Sequence, residues 1–224
     1  MALRACAPDG RAGGARRPTP TLEHEAWLWS QGYALVAGVD EAGRGALAGP
    51  LVAAAVILPP HPEVGAALAG VRDSKLLTPP ARARLDERIR ECALAVGVAV
   101  VPAALVDGAG LSAAGQLAFC RAVEALERAP DFLLVDAFRL RAARQPQLAL
   151  VHGDSRCLSI AAASIIAKVT RDRLMDELHA EYPQYAFGRH RGYATGAHQD
   201  ALASHGPCPQ HRRSYAPVRA WCGR

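Results

Sequence analysis

The sequence predicts an α/β domain: a mixed, five-stranded sheet flanked by helices, with a helical C-terminal extension. Three observations lead there. Apolar runs of strand length recur at residues 34–39, 51–58, 96–101, 132–135 and 148–151. The first three enclose a single helical stretch, which suits hairpin-like neighbours. The last two lie between helix-length stretches, which suits crossover connections in an α/β sheet.

Residues 1–20 are rich in Gly, Arg and Pro and are expected to be disordered; residues 1–30 read as an extension ahead of the domain. Glu23 to Gln31 has the composition of a short helix. Ala34 to Val39 is a strand, broken by Gly43, Gly45 and Gly49-Pro50. Leu51 to Leu58 is apolar throughout, as a strand buried on both faces would be, and Pro59, Pro60 and Pro62 end it. Thr78-Pro79-Pro80 opens a helix, with Thr78 at the N-cap and proline in the first turn. Val96 to Val101 is a third strand. In Ser112 to Arg128, Leu117, Cys120, Val123 and Leu126 recur at helical steps. Phe132 to Val135 and Leu148 to Val151 complete the sheet. A long helix runs from about Leu158 to about Ala180, Ala-rich and closely packed at first, charged later. A short helix follows from Thr195 to about Ser204. The domain thus covers 31–183, and a basic extension, 184–224, packs on it.

Composition narrows the class. Half of the 224 residues are apolar and 21% are charged, which excludes a disordered chain, a collagen-like fibre and a coiled coil. A chain of this length builds a core without disulfides or a structural metal. No apolar run reaches the ~18 residues of a membrane helix. The arginines of Met1 to Pro20 precede no apolar stretch, so no secretory signal is read there, and a cytoplasmic location is expected. The six cysteines form no CxxC and read as buried hydrophobes or free thiols. The net charge is +5, concentrated at the ends: from Phe187 onward there are six Arg and one acid. A basic tail beside an acidic centre suits a protein that holds a polyanion near carboxylates, though a solvated tail fits as well.

The acids carry the chemistry. Asp40-Glu41 directly follows the first strand. In a regular strand they would face opposite ways, so acting together requires the strand to end there. Alone, they could be an acidic surface turn. Asp136 ends another apolar run, and Asp154 follows a third by a few residues. Ligands of α/β sheets bind beyond strand ends. Several carboxylates at one spot repel unless cations stand between them, and hard cations take oxygen ligands. Gly43-Arg44-Gly45 allows close approach of backbone to a ligand, with an Arg ready for phosphate. Only two Lys occur, Lys75 and Lys168, and Lys168 with Asp172 has the spacing of a helical salt bridge. Tyr193 could stack on a sugar or base, or sit in the core. His205, Cys208 and His211 have zinc-like spacing, but a closed site needs four ligands and Cys222 could be the fourth only by a chance of folding; a basic loop near phosphate is the better reading.

At this point the sequence resembles a known family. Gly38-Val-Asp-Glu-Ala-Gly-Arg-Gly45, Ala48-Gly-Pro50, Asp73-Ser-Lys-Leu-Leu77, Leu134-Val-Asp136, Gly153-Asp154, the stretch Ser159 to Val169 with Arg171-Asp172, and the end from Tyr182-Pro183 through Gly192-Tyr193 to His211-Arg212 and Ser214 are similar to ribonuclease HII. The resemblance covers about residues 33 to 219. It implies a ribonuclease H-like fold and an endonuclease that uses Mn²⁺ or Mg²⁺. Its substrates would be RNA–DNA hybrids and duplex DNA with embedded ribonucleotides, cut on the 5′ side of the ribonucleotide to leave 5′-phosphate and 3′-hydroxyl ends. It further implies that Asp40, Glu41, Asp136 and Asp154 are the catalytic, metal-binding carboxylates. Gly43, Arg44 and Gly45 would read the 2′-hydroxyl, largely through backbone, Tyr193 would stack on the neighbouring deoxyribose, and Lys75 would lie near the phosphate backbone. A monomer is expected. The chain departs from the family in Ala46, in Ala137-Phe138 after Asp136, and in the Gly- and Ala-rich segment Asp107 to Gln116. None of these removes a carboxylate.

Overall fold

A computed structural model describes residues 19–222. The order of elements is α1 (Glu23–Ser30), β1 (Val36–Ala42), β2 (Leu51–Ile57), α2 (Glu63–Ala67), α3 (Pro79–Cys92), β3 (Ala95–Val101), α4 (Ala103–Ala109), α5 (Leu111–Glu124), β4 (Phe132–Asp136), β5 (Gln147–Leu150), α6 (Leu158–Glu181), α7 (Phe187–His190), α8 (Gly196–His205) and α9 (Ala216–Arg219). The five strands form one sheet in the order β3-β2-β1-β4-β5. β1 to β3 are antiparallel, while β4 pairs parallel to β1 and to β5. The mixed sheet expected from the order of elements is therefore present.

β2 shows why its sequence is apolar throughout. Leu51, Ala53, Ala55 and Ile57 face the core under α5; Val52, Ala54, Val56 and Leu58 face the core under α6. Alanine on both sides lets helix and sheet approach closely. One such close approach is at Gly38, where a Cβ would overlap the backbone of Ser159 and Ile160 at the start of α6. Only glycine fits there, and this contact fixes α6 against β1.

Several boundaries differ from the sequence reading. The stretch 1–30 does not lie outside the fold as a whole. Leu28 of α1 packs with Phe132 and Ile160, and the Glu25 carboxylate accepts the Ser159 N–H at 2.7 Å and the Cys157 thiol at 3.1 Å. A buried carboxylate on the first turn of α6 ties this segment down. The disorder expected for residues 1–18 concerns residues outside those described. α3 starts at proline as expected, but the Thr78 side chain makes no capping bond. α2 and α4 are too short to leave a periodic signal, and the helix expected to run to Arg128 ends at Glu124. Among the described residues, no helix is long and apolar enough to cross a membrane.

Candidate active site at the ends of the parallel strands

Parallel strands deliver their carboxyl ends to one edge of a sheet. β1, β4 and β5 do so here. Their ladder pairs Val39 with Val135, and the next position on each strand holds Asp40 and Asp136. β5 stops at Leu150, and the chain turns through His152 (φ 55°) into Gly153-Asp154. The Gly153 N–H donates to Asp136 Oδ1 at 2.8 Å, which joins the second and third acids.

The strand does not end before Asp40, contrary to the sequence expectation. β1 continues to Ala42 because β2 keeps pairing with it: Asp40 is opposite Ala54 and Glu41 opposite Ala53. The two carboxyls therefore leave on opposite faces. Asp40 points to the α6 side, where Ser164 hydrogen-bonds it, and Ser164 also meets Ser74 at 3.0 Å. Glu41 points to the α5 side, with Arg44 Nη1 3.7 Å from its Oε1. Both still lie at one edge of the central strand, where pairing with β4 has stopped, and both feel the charge of Asp136.

All four acids are held above the usual carboxylate range. Burial is the main cause for each. Glu41 and Asp136 add repulsion at Asp40, which is raised well above normal; Glu41 is pushed up to about 7; Asp136 and Asp154 are also raised. Lys75 stands among them, its Nζ 3.7 Å from Asp73 and 3.7 Å from Asp154. Burial opposes its charge, but Asp73, Asp154, Asp40 and Asp136 together outweigh this and its pKa is raised. Its side chain is 75% exposed, so it can swing away.

The adjoining loop is held as firmly as the acids. Gly43 sits at φ 91°, and a Cβ there would overlap the Arg171 side chain. Arg171, fully buried on α6, donates to the carbonyls of Pro50 at 2.9 Å, Ala48 at 3.1 Å and Arg191 at 3.0 Å. The Gly192 carbonyl accepts from Leu47 and Ala48. Tyr193, the next residue, is half-buried, with Arg171 and Lys168 5.3 and 5.7 Å from its ring centroid. The structure thus brings the Gly43-Arg44-Gly45 loop and Tyr193 together. Arg171 was missed as a site-supporting residue in the sequence. Its signal was a charge on the apolar stripe Ala167, Arg171, Met175 of α6. Asp172 pairs with Lys168 at 2.6 Å, as its spacing indicated, and with Arg82 at 3.4 Å. The zinc-like spacing resolves differently: the Nε2 atom of His211 meets that of His198 at 3.0 Å, while His205 packs edge-on to Tyr185.

A sequence model of the Ribonuclease HII family matches residues 37–218. The chain belongs to the ribonuclease HII family. Ribonuclease HII of Chloroflexus aurantiacus is 52% identical over 205 residues, covering 90% of this chain and 94% of the relative. That of Pelotomaculum thermopropionicum is 49% identical over 238 residues, covering 99% and 88%. The crystal structure of ribonuclease H2 from Pyrococcus horikoshii superposes with a TM-score of 0.69 at 27% identity, covering 83% of this chain and 95% of that one. As a ribonuclease HII, the chain is an endonuclease that hydrolyses RNA in RNA–DNA hybrids.

Ribonuclease HII enzymes depend on divalent metal, and the residues fit one. The donor set is all carboxylate oxygen, which suits a hard cation. Glu41 Oε2 is buried without a hydrogen-bond partner, an expensive state that a bound cation would relieve. Among the described residues, no three His, Cys, Asp or Glu close into a ready-made cage.

Proposed function

We propose that the chain incises duplex DNA on the 5′ side of an embedded ribonucleotide, as well as cutting RNA–DNA hybrids, leaving 5′-phosphate and 3′-hydroxyl ends. Asp40, Glu41, Asp136 and Asp154 hold Mg²⁺ or Mn²⁺. When bound, such an ion activates water and neutralises charge on the phosphate. The chain's own part is placement. Asp136 is oriented by the Gly153 N–H and Asp40 by Ser164. Lys75 approaches the scissile region's phosphate backbone. The backbone of Gly43-Arg44-Gly45 meets the 2′-hydroxyl, the group that separates RNA from DNA at one position. Tyr193 stacks on the neighbouring deoxyribose, its ring steadied by the cations of Arg171 and Lys168. The chain works as a monomer.

The observation that carries this reading is the partnerless Glu41 oxygen beside three raised carboxyls, next to a loop whose backbone is pinned by buried arginine. A labelled duplex with one ribonucleotide tests it, with Mg²⁺ or Mn²⁺, an EDTA control and an all-DNA duplex. Metal-dependent incision 5′ to the ribonucleotide, with the all-DNA duplex intact, is expected. Degradation of a long hybrid without that incision would keep the metal site and discard the roles given to Gly43-Arg44-Gly45 and Tyr193.

A further inference from the structure

The Arg44 carbonyl is held by two residues from the far end of the chain. Arg212 is fully buried, and its guanidinium is spent on oxygen acceptors. Nε and Nη2 donate to the Gly49 carbonyl at 3.2 and 3.0 Å. Nη1 donates to the Arg44 carbonyl at 3.0 Å and to the Tyr215 hydroxyl at 3.1 Å. That hydroxyl in turn donates to the same Arg44 carbonyl at 2.7 Å. Arg212 also lies over the Tyr215 ring, 5.4 Å from its centroid. The turn carrying both is anchored by Asp107 of α4, which accepts the Arg213 N–H at 2.7 Å, the Ser214 N–H at 3.1 Å and the Ser214 hydroxyl at 2.6 Å.

A trans peptide is planar, so the carbonyl of one residue and the N–H of the next point in opposite directions. The Arg44 carbonyl is turned inward, onto Arg212 and Tyr215. The Gly45 N–H is thereby turned outward. Gly45 is exposed, and a Cβ built on it meets nothing within 4 Å.

We infer that Arg212 and Tyr215 are positioning residues that set the Arg44–Gly45 peptide so that the Gly45 N–H donates to the ribose 2′-hydroxyl oxygen. The inference rests on the reading of this loop given above. A pinned donor discriminates because a deoxyribose leaves it unanswered, whereas a free peptide could rotate away.

The test measures affinity in EDTA, which prevents cleavage, for a DNA duplex with one ribonucleotide and for the same duplex without it. Tyr215→Phe removes one of the two donors and keeps the ring over Arg212, so it should fold; Arg212→Lys removes the guanidinium fork. Tyr215→Phe should lower the ratio of the two affinities about three- to tenfold, with all-DNA affinity and melting temperature nearly unchanged. Gly45→Ala places a methyl in open space beside the donor and tests the loop itself. If Gly45→Ala lowers the ratio while Tyr215→Phe and Arg212→Lys leave it intact, the clamp has no positioning role and the inference fails. An equal loss for both duplexes in Tyr215→Phe would also overturn it. If Gly45→Ala leaves the ratio intact too, the hydroxyl is read elsewhere, and the reading beneath the inference falls with it.

Discussion

Burial raises the pKa of Asp40 well above the usual carboxylate range, and Glu41 and Asp136 beside it push the same way. Without a cation this residue opposes folding at neutral pH, a common arrangement at sites where function costs stability. Asp40→Asn removes the charge and keeps the shape. It should raise the melting temperature of the metal-free protein by about 2–4 °C, the size of a ~1 kcal/mol change in a chain of this length. It should also abolish cleavage and shrink the rise in melting temperature caused by Mg²⁺. Unchanged cleavage would remove Asp40 from the metal site. Ala137, directly after Asp136, stores strain of another kind. It sits at φ 61°, and the Phe138 N–H donates across it to the Asp136 carbonyl at 2.7 Å. The left-handed conformation costs an L-residue about 1–2 kcal/mol, against about 0.5–1 kcal/mol of extra chain entropy lost by glycine. Ala137→Gly should therefore stabilise the protein by about 0.5 kcal/mol, read by urea denaturation, with cleavage retained. Destabilisation would mean that the Ala137 methyl makes packing contacts worth more than the strain.

Between α7 and α9 the histidines form directed chains, and their direction follows from the backbone. The Cys208 N–H donates to His211 Nδ1 at 3.0 Å, so the proton of a neutral His211 is on Nε2. That proton faces His198 Nε2, which leaves His198 to donate from Nδ1 to the Tyr193 carbonyl at 2.9 Å. His190 likewise accepts the Gly192 N–H at 3.3 Å and meets the Tyr185 carbonyl at 2.7 Å. Burial holds all three below their ordinary pKa, His211 down to about 4. The unfolded chain, titrating near 6.5, binds more protons across the interval from about 6.5 to about 4. This contribution to stability is complete above pH 6.5 and is lost as pH falls towards 4. The raised carboxyls contribute with the opposite sign, so the measurement is made with saturating Mg²⁺. The melting temperature should fall between pH 7.5 and pH 5, and His211→Phe should flatten that fall while lowering the value at pH 7.5. A fall of unchanged size in the variant would assign the pH dependence to other groups. The same elements mark what the sequence could tell. The strands were legible because β2 is apolar along its whole length and β4 as far as Val135, and Asp136 and Asp154 because each follows an apolar run. The histidine chain was not legible: His198 and His211 lie on separate elements, and only the fold brings them to 3.0 Å. Asp40 and Glu41 were read as a pair for the wrong reason, since continued pairing with β2, which no local pattern encodes, keeps both in the strand.

Across the whole molecule the charge pattern also means less, and more, than its sum. The basic stretch from Phe187 onward has six Arg, but two are already engaged. Arg212 is buried against carbonyls, and Arg191 pairs with Asp176 and lies near Asp172. Arg189, Arg213 and Arg219 are exposed. Of these, Arg213 follows the residue that holds the Arg44 carbonyl, and its backbone N–H is anchored on Asp107. Phosphate contacts by such residues release counterions, and the logarithm of affinity falls with the logarithm of salt at a slope of about 0.9 per contact. Removing one contact should therefore shift that slope by about one. With an all-DNA duplex, which needs no cleavage control, Arg213→Ala should reduce the slope by about that amount. Arg191→Ala should leave it unchanged, because the charge it removes is already matched within the fold. A reduction of the same size in Arg191→Ala would mean that the Arg191–Asp176 pair opens when the duplex binds, and an unchanged slope in Arg213→Ala would mean that Arg213 makes no phosphate contact.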